Sequence, residues 1–284
     1  MARSRALTDE TADATAAGTP KLELVRITKR FHRRGAVVTA LDDVTLAVPA
    51  GQFCTVLGPS GCGKSTLLHI AAGLERPTAG EARIDGRPAG GPGPHRCMVF
   101  QSFALFPSMT VVRNVEFGLR VAKVSGTKRR DVAMAQLERV GLAGFADAYP
   151  HELSGGMQQR VAIARALVLE PDLLLMDEPF GALDAQTRVT MQEEVAQLVA
   201  RSGVTTVFVT HSVEEAIYLG DRIVVMSARP GRVKESIDVA QHSAWRDQPA
   251  HDVMNEPEFA RLRQHIWTSV REEISAASAE QRIS

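Results

Sequence analysis

Short apolar segments alternate along this chain with amphipathic segments of helical period. Strand-like alternation begins at Leu22 and recurs at residues 44–48. Residues 173–176 form a continuous apolar segment, which is typical of a strand buried on both faces of a parallel sheet. Residues 191–199 place their apolar side chains on one face of a helix. This order predicts an α/β fold around a mostly parallel sheet.

Both ends of the chain and one internal segment depart from this pattern. Residues 1–20 are rich in Ala and Thr without a period, so we expect a disordered tail. Residues 102–152 change to helical spacing interrupted by glycines, which predicts a helical insert. Residues 257–274 also have helical spacing, and 237–284 is interpreted as a C-terminal helical extension. The main domain is expected to span 21–236.

Composition narrows the class of protein. The 284 residues are 44% hydrophobic and 23% charged, values typical of a soluble globular chain. Acidic and basic residues balance at 33 each, so no global field favours nucleic acid or a membrane surface. We find no apolar segment near the roughly 18 residues of a membrane span, and no secretory signal. Three scattered cysteines are too few for a disulfide framework or a zinc site, so we expect a reducing cytoplasm.

A glycine-rich loop carries the strongest chemical signal. It follows the apolar residues 53–57 and precedes a helical segment that ends at Gly73. Glycines between a strand and a helix let successive N–H groups turn onto one anion, and the helix N-terminus adds partial positive charge. Lys64 can then reach the β- and γ-phosphates of a nucleoside triphosphate, while Ser65 can ligate Mg²⁺. The predicted phosphate loop consists of Gly58, Pro59, Ser60, Gly61, Cys62, Gly63, Lys64, Ser65 and Thr66.

Two carboxylates follow the apolar segment at 173–176. They are Asp177 and Glu178, and active groups of parallel sheets lie at the carboxyl ends of the strands. The pair should therefore lie at the same edge of the sheet as Lys64. Paired acids beside a phosphate loop indicate one metal ligand and one base that activates water.

His211 ends a further predicted strand, at 204–210. A lone histidine is usually structural, but its place at the active edge favours a contact with the γ-phosphate. Ser212 and Glu215, which follow it, fit a capping box at the start of the next helix.

Phe31 and the Ser154-Gly155-Gly156 segment each permit two interpretations. Phe31 is either a core residue at a strand end or a platform on which a base stacks, and composition favours the core. The Ser-Gly-Gly segment opens a helix and is either a second anion site or an ordinary N-cap.

Cys62 lies within the phosphate loop at a helix N-terminus, a position that favours a thiolate. We therefore expect alkylation of Cys62 to block nucleotide binding, and bound nucleotide to protect the thiol. The alternative is a small residue that merely fits the loop.

Together these motifs resemble the nucleotide-binding subunit of ABC transporters over about residues 21–235. The segment Leu-Ser-Gly-Gly-Met-Gln-Gln-Arg at 153–160 is the signature that separates this family from other phosphate-loop enzymes. The resemblance implies a phosphate-loop NTPase core with a mostly parallel sheet, an N-terminal antiparallel β subdomain, and a helical signature subdomain at about 102–165. The motifs that carry it are, in order, Gly58–Thr66, Gln101, Leu153–Arg160, Leu173–Glu178, Asp184 and His211.

The resemblance implies ATP as the nucleotide and a role for each motif residue. Phe31 would stack on adenine, which reverses the preference from composition. Lys64 would hold the β- and γ-phosphates, Glu178 would polarise the attacking water, and His211 would hold the γ-phosphate and orient that base. Gln101 would join these three in the catalytic set. The implied Mg²⁺ ligands are Ser65, Gln101 and Asp177.

The resemblance also implies a site shared between two copies of the chain. Ser154, Gly155 and Gly156 would face the γ-phosphate of ATP held by the other copy, and Asp184 would lie at the same seam. The implied partners are a second copy, transmembrane permease subunits at the cytoplasmic face of the inner membrane, and indirectly a solute-binding protein. Gly181, where the family often has Ser, puts only one hydrogen bond of the seam in doubt.

A finer resemblance, in residues 177–188, 210–216 and 227–232, is to the nitrate, sulfonate and taurine import group. The alternative class is a soluble ABC-type ATPase that acts on nucleic acid or another non-transport target. We expect no nucleic-acid partner, because this chain has neither an excess of basic residues nor a second cassette. Co-purification of a permease or of nucleic acid would discriminate between the two classes.

Overall fold

The computed structural model describes residues 19–33 and 36–283. Most of the predicted disordered tail at 1–20 therefore lies outside the described residues. The strands are β1 (Leu22–Arg33), β2 (Ala36–Val48), β3 (Phe53–Leu57), β4 (Ala79–Ile84), β5 (Arg87–Pro88), β6 (Arg96–Val99), β7 (Leu173–Asp177), β8 (Thr205–Thr210), β9 (Arg222–Met226) and β10 (Val233–Asp238). The helices are α1 (Lys64–Ala72), α2 (Val111–Val121), α3 (Gly126–Arg139), α4 (Gly155–Leu167), α5 (Ala185–Ser202), α6 (Val213–Leu219), α7 (Ala250–Val253) and α8 (Pro257–Ile283). Short 3₁₀ turns lie at Ala143–Phe145, Pro150–Glu152 and Ala240–Asp247.

The central sheet has six strands in the order β10-β9-β3-β8-β7-β6. The five strands from β9 to β6 run parallel, and β10 pairs with β9 in the antiparallel sense. Every residue of β3, β7 and β8 is buried. Burial on both faces explains why their sequences are largely continuous apolar runs. The predicted mostly parallel sheet is confirmed.

A second, antiparallel sheet is formed by β2, β1, β4 and β5. Its buried residues, such as Leu22 and Leu24, share one apolar cluster with Leu67 and Leu68 of α1 and with the adjacent face of the central sheet. This packing holds the second sheet over α1. Strand β1 continues to Arg33, so Phe31 lies within a strand.

Helices α2, α3 and α4 pack around an apolar cluster of their own. The buried side chain of Asn114 in α2 fixes the entry to this helical unit: it accepts a hydrogen bond from the Phe106 N–H at 2.8 Å and donates to the Met109 carbonyl at 3.1 Å. These bonds satisfy a buried amide and define the path of the chain between β6 and α2.

Helix α8 packs on the core against α6 and β9. Phe259 and Ile266 are completely buried and join the main apolar cluster together with Trp245. Within the residues that the structure describes, none of the helices is long and apolar enough to cross a bilayer.

Candidate active site

The phosphate loop connects β3 to α1 at the carboxyl edge of the central sheet. Gly63 has a φ of 106°, and a Cβ there would lie 2.7 Å from Leu41 Cδ2 and 2.8 Å from the Ala40 carbonyl oxygen. Only glycine fits this position without strain. Helix α1 begins without a side-chain cap, so the N–H groups of its first turn remain free to bind an anion.

A cleft of about 610 Å³ opens over this loop. Phe31 lies on its wall and is 38% exposed, and the Lys29 ammonium lies 4.9 Å from the centre of the Phe31 ring. Phe31 is thus exposed at the cleft and is not a core residue, and its role as a platform for the base stays a prediction. The lining residues are Phe31, His32, Val38, Ala40, Ser60, Gly61, Gly63, Lys64, Ser65, Thr66, Glu178 and Arg229.

Lys64 is held at the base of the cleft with only 5% of its side chain exposed. Its Nζ donates to the carbonyl oxygens of Gly58 at 2.8 Å and Pro59 at 3.1 Å. The same Nζ lies 3.8 Å from Glu178 Oε1. A desolvated ammonium between the loop and a carboxylate is suited to attract and neutralise phosphate oxygens.

Ser65 and Asp177 present two oxygen atoms to one point beside Lys64. The Ser65 hydroxyl donates to Asp177 Oδ1 at 3.1 Å. Burial raises the pKa of Asp177, while the hydrogen bond from Ser65 acts in the opposite direction. A hydroxyl and a partly desolvated carboxylate are ligands that Mg²⁺ accepts, so the residues present fit this ion.

Gln101 lies beside the turn that follows β7. Its Nε2 is 3.7 Å from the position that a Cβ on Gly181 would occupy, and Gly181 donates its N–H to the Glu178 carbonyl at 3.0 Å. The structure thus brings Gln101 to the Glu178 turn, although Gln101 does not line the cleft itself. Its roles as ligand and catalytic residue stay predictions.

Glu178 connects Lys64 with His211. Its Oε2 lies 3.2 Å from His211 Nδ1, and its Oε1 is the atom nearest Lys64. The backbone of Glu178 has a φ of 43°, an uncommon conformation for a non-glycine residue, and its N–H donates to the Val209 carbonyl at 2.9 Å. Such local strain is typical of functional positions. Three of the predicted catalytic residues therefore meet at one point.

Gln192, Thr210 and Glu215 form a buried polar cluster, which we call the cluster behind His211 because Thr210 immediately precedes that residue, and the sequence predicted only part of it. Ser212 caps α6 by accepting the Glu215 N–H at 3.2 Å, as predicted. The return bond of a capping box is not formed, because the Ser212 N–H donates to Thr210 Oγ1 at 3.0 Å. The Glu215 carboxylate instead accepts from the Thr210 hydroxyl and from Gln192 Nε2, the latter at 3.0 Å.

The prediction that Cys62 favours a thiolate is wrong. The residue is only 1% exposed, and its Sγ lies 3.1 Å from the position of a Cβ on Gly58. Burial raises the pKa of the thiol and outweighs the opposing effect of Lys64. The side chain fills the interior of the loop, as in the alternative interpretation.

Arg229 is a lining residue to which sequence analysis gave no role. It lies between β9 and β10, and its Nε donates to the Gly61 carbonyl at 3.2 Å. The resemblance of residues 227–232 to the import group was the available signal, but it pointed to ancestry and not to the cleft.

The signature residues and Asp184 lie outside the cleft, at two adjacent helix N-termini. Ser154 caps α4 by accepting the Met157 N–H at 3.4 Å, and Asp184 caps α5 by accepting the Thr187 N–H at 3.0 Å. A Cβ on Gly156 would lie 2.7 Å from Thr187 Cγ2, so the two ends pack closely. The backbone N–H of Thr187 lowers the pKa of Asp184. We call Ser154–Gly156 with Asp184 the signature surface.

Fold and site together define a phosphate-loop nucleoside triphosphatase, and comparison with known proteins identifies its family. A family model described as "ABC transporter" matches residues 41–181. The taurine import ATP-binding protein TauB of Pelagibacter ubique is 47% identical over 237 residues, which cover 84% of this chain and 89% of that protein. The nitrate import ATP-binding protein NrtD of Synechocystis sp. is 43% identical over 252 residues, covering 88% and 95% respectively.

A solved structure of an ATP-binding cassette supports the same family assignment. It is the dimer of an ATP-binding cassette in a post-hydrolysis state, bound to ADP and Pi. It superposes with a TM-score of 0.67 at 35% identity and covers 77% of this chain and 98% of that one. This chain belongs to the ATP-binding subunits of the ABC transporter family and is an ABC-type ATPase.

Proposed function

We propose that this chain is the ATP-hydrolysing subunit of an importer of the nitrate, sulfonate and taurine type, whose permease is a separate chain. One observation carries the proposal: relatives named for taurine and nitrate import are 47% and 43% identical over 84% and 88% of the chain. The convergence of Lys64, Glu178 and His211 supports the hydrolytic role.

Glu178 is the proposed base. Its carboxylate accepts a hydrogen bond from the attacking water and so orients the oxygen toward the γ-phosphate. His211, 3.2 Å from that carboxylate, fixes its orientation and contacts the γ-phosphate. Lys64 neutralises charge on the β- and γ-phosphate oxygens. Mg²⁺, held by Ser65, Gln101 and Asp177, would supply further positive charge on the phosphates.

The proposed active unit is a dimer with two shared sites. In each copy the signature surface lies apart from the cleft, and Ser154 and Asp184 are exposed. A second copy would place its signature surface against the ATP in this cleft. ATP would then hold the two copies closed, and loss of the γ-phosphate would release them.

We expect the chain to be located at the cytoplasmic face of the inner membrane, bound to the permease subunits. The helical unit of α2, α3 and α4 is joined to the site through the segment after β6, which contains Gln101. Movement of that segment on ATP binding would be transmitted to the permease. A solute-binding protein would deliver the solute from the other side.

An uptake assay tests the proposal. Cells of the source organism that lack this chain should lose uptake of labelled taurine, nitrate or ethanesulfonate, and expression of the wild-type chain should restore it. Glu178→Gln should not restore uptake, although the protein accumulates to the same level. Unchanged uptake of all three solutes, with nucleic acid and no permease on the affinity-purified chain, would favour the non-transport class instead.

A further inference from the structure

The loop between β9 and β10, residues 227–232, touches the phosphate loop over more than one residue. A Cβ on Gly231 would lie 2.0 Å from the Cys62 carbonyl oxygen, so only glycine permits this approach. The Gly231 N–H donates to the Ala40 carbonyl at 3.0 Å, and its own carbonyl accepts the Asp42 N–H at 3.0 Å. The loop therefore has a fixed position relative to the cleft.

Arg229 extends from this loop onto the rim of the cleft. Its Nε donates to the Gly61 carbonyl at 3.2 Å, and its Nη2 lies 3.2 Å from the position of a Cβ on Gly61. The residue is exposed, and it lines the cleft together with Lys64 and Phe31. One bond to a carbonyl leaves most of the five donors of the guanidinium available.

The chemistry of the cleft indicates what those donors meet. A guanidinium binds phosphate oxygens through paired, charge-assisted hydrogen bonds. Phosphates of an ATP bound in this cleft would lie along the loop that Arg229 touches, and Lys64 is buried at the base of the cleft. Arg229 adds an exposed cation at the same loop, besides the buried cation of Lys64.

Helix α8 holds this loop in place. The Glu273 carboxylate accepts the Ala228 N–H at 3.0 Å, so an acid in the C-terminal helix is bonded to the residue just before Arg229. The ammonium of Lys234 pairs with the same carboxylate, with its Nζ 3.0 Å from Glu273 Oε1. The same Nζ donates to the Ser269 carbonyl at 2.9 Å. A continuous set of bonds thus joins α8 to the nucleotide cleft.

We propose that Arg229 is a further nucleotide-binding residue that contacts a phosphate oxygen of ATP or ADP, and that Glu273 of α8 is its positioning residue. The inference rests on ATP binding in this cleft. It gives the C-terminal helix a direct influence on nucleotide affinity.

Titration calorimetry of the full chain with ATP, ADP and adenosine tests the role of Arg229. Arg229→Ala should raise the Kd of ATP and of ADP about tenfold and leave that of adenosine within about twofold, since one charge-assisted contact is lost. Arg229→Lys should recover part of the loss. Arg232→Ala is the matched control: Arg232 lies on the same loop, pairs with Asp42 and does not line the cleft, so its ATP Kd should match that of the wild type.

Several results overturn the inference. An ATP Kd of Arg229→Ala within twofold of the wild type would remove the contact. An equal loss for adenosine and ATP would show that Arg229 supports the loop or the base and not the phosphates. If the wild-type chain itself bound no ATP, the proposed function would fail and not this inference alone.

A double-mutant comparison tests Glu273. If Glu273 acts through Arg229, Glu273→Ala, which removes the acceptor of the Ala228 N–H, should raise the Kd of ATP about threefold in the wild-type background and have no further effect in Arg229→Ala. Equal effects in both backgrounds would contradict the positioning role. Thermal unfolding of each variant, read alongside, separates a loss of stability from a loss of affinity.

Discussion

The cleft and the signature surface are both built on helix N-termini, but they differ in whether a side chain caps the free N–H groups there. Helix α1 begins without a side-chain cap, and its first turn faces the cleft beside Lys64. Helices α4 and α5 are capped by Ser154 and Asp184. The first end is thus open to an anion, whereas each of the other two already has one N–H bonded to an exposed cap side chain. We therefore expect the chemistry to lie in the cleft and the signature surface to act on the nucleotide of a second copy.

The largest effect should come from Glu178, the proposed catalytic base in the cleft. Glu178→Gln keeps the size and most contacts of the side chain but removes the charge that polarises water. We expect kcat to fall about a thousandfold while ATP affinity changes little. Single-turnover hydrolysis and calorimetry measure the two quantities. Turnover close to that of the wild type would eliminate Glu178 as the base and with it the assignment of chemistry to the cleft.

The signature surface should affect turnover only in the dimer. Ser154→Arg places a bulky side chain where a second copy would close, so ATPase activity should fall about a hundredfold while ATP binding to the monomer stays unchanged. Ser125→Arg is a matched control, because Ser125 is also an exposed N-cap residue, at the start of α3. Sedimentation with ATP should show a dimer for the control only. Full activity of a demonstrably monomeric Ser154→Arg chain would contradict the shared site.

The sequence was sufficient for the parts of the fold and site that depend on local pattern. Continuous apolar segments predicted the buried strands, and the rule that parallel strands end at one edge predicted that Lys64, Asp177 and Glu178 would lie together. The same rule applied to His211. Each of these predictions needed only residue types and spacing within one strand–loop–helix unit, so the local signal was complete. Their individual roles remain predictions.

Contacts between distant segments could not be predicted in this way. Arg229 and Gly61 are separated by 168 positions, and no local motif links them. Glu215 looked like an ordinary cap residue because its buried partner Gln192 comes from another helix. The thiolate of Cys62 was predicted from the positive charge of a helix N-terminus, but the side chain is buried inside the loop, and burial raises the pKa of its thiol. These failures have one cause: tertiary packing determines which local option is used.

A change in the cluster behind His211 should lower turnover less than a change in the cleft or in the signature surface. Thr210→Val removes the hydroxyl that joins the Ser212 N–H to Glu215 and should let His211 shift, lowering kcat about tenfold with ATP affinity unchanged. Thr206→Val is the matched control, since this buried threonine of β8 donates only to the nearby Val204 carbonyl at 3.2 Å. A loss of activity in both variants that tracked their melting temperatures would assign the effect to stability instead.

The smallest effect concerns pH and the same cluster. Burial raises the pKa of Glu215 above its ordinary value of 4.5, despite the hydrogen bonds from Thr210 and Gln192. The folded chain therefore holds this proton over a pH range in which the unfolded chain has lost it, and stability declines as pH rises from about 4.5 to the raised pKa.

Glu215→Gln should remove that part of the decline, because the amide does not titrate. The measurement is the difference in free energy of unfolding between variant and wild type, from urea titrations at several pH values. Asp177, whose pKa burial also raises, titrates in both proteins and cancels from the difference. The difference should grow in favour of the variant as pH rises through this window and then level off. A difference that stays constant with pH would show that Glu215 is ionised in the folded chain at no cost, and that the cluster behind His211 is fully compensated by its hydrogen bonds.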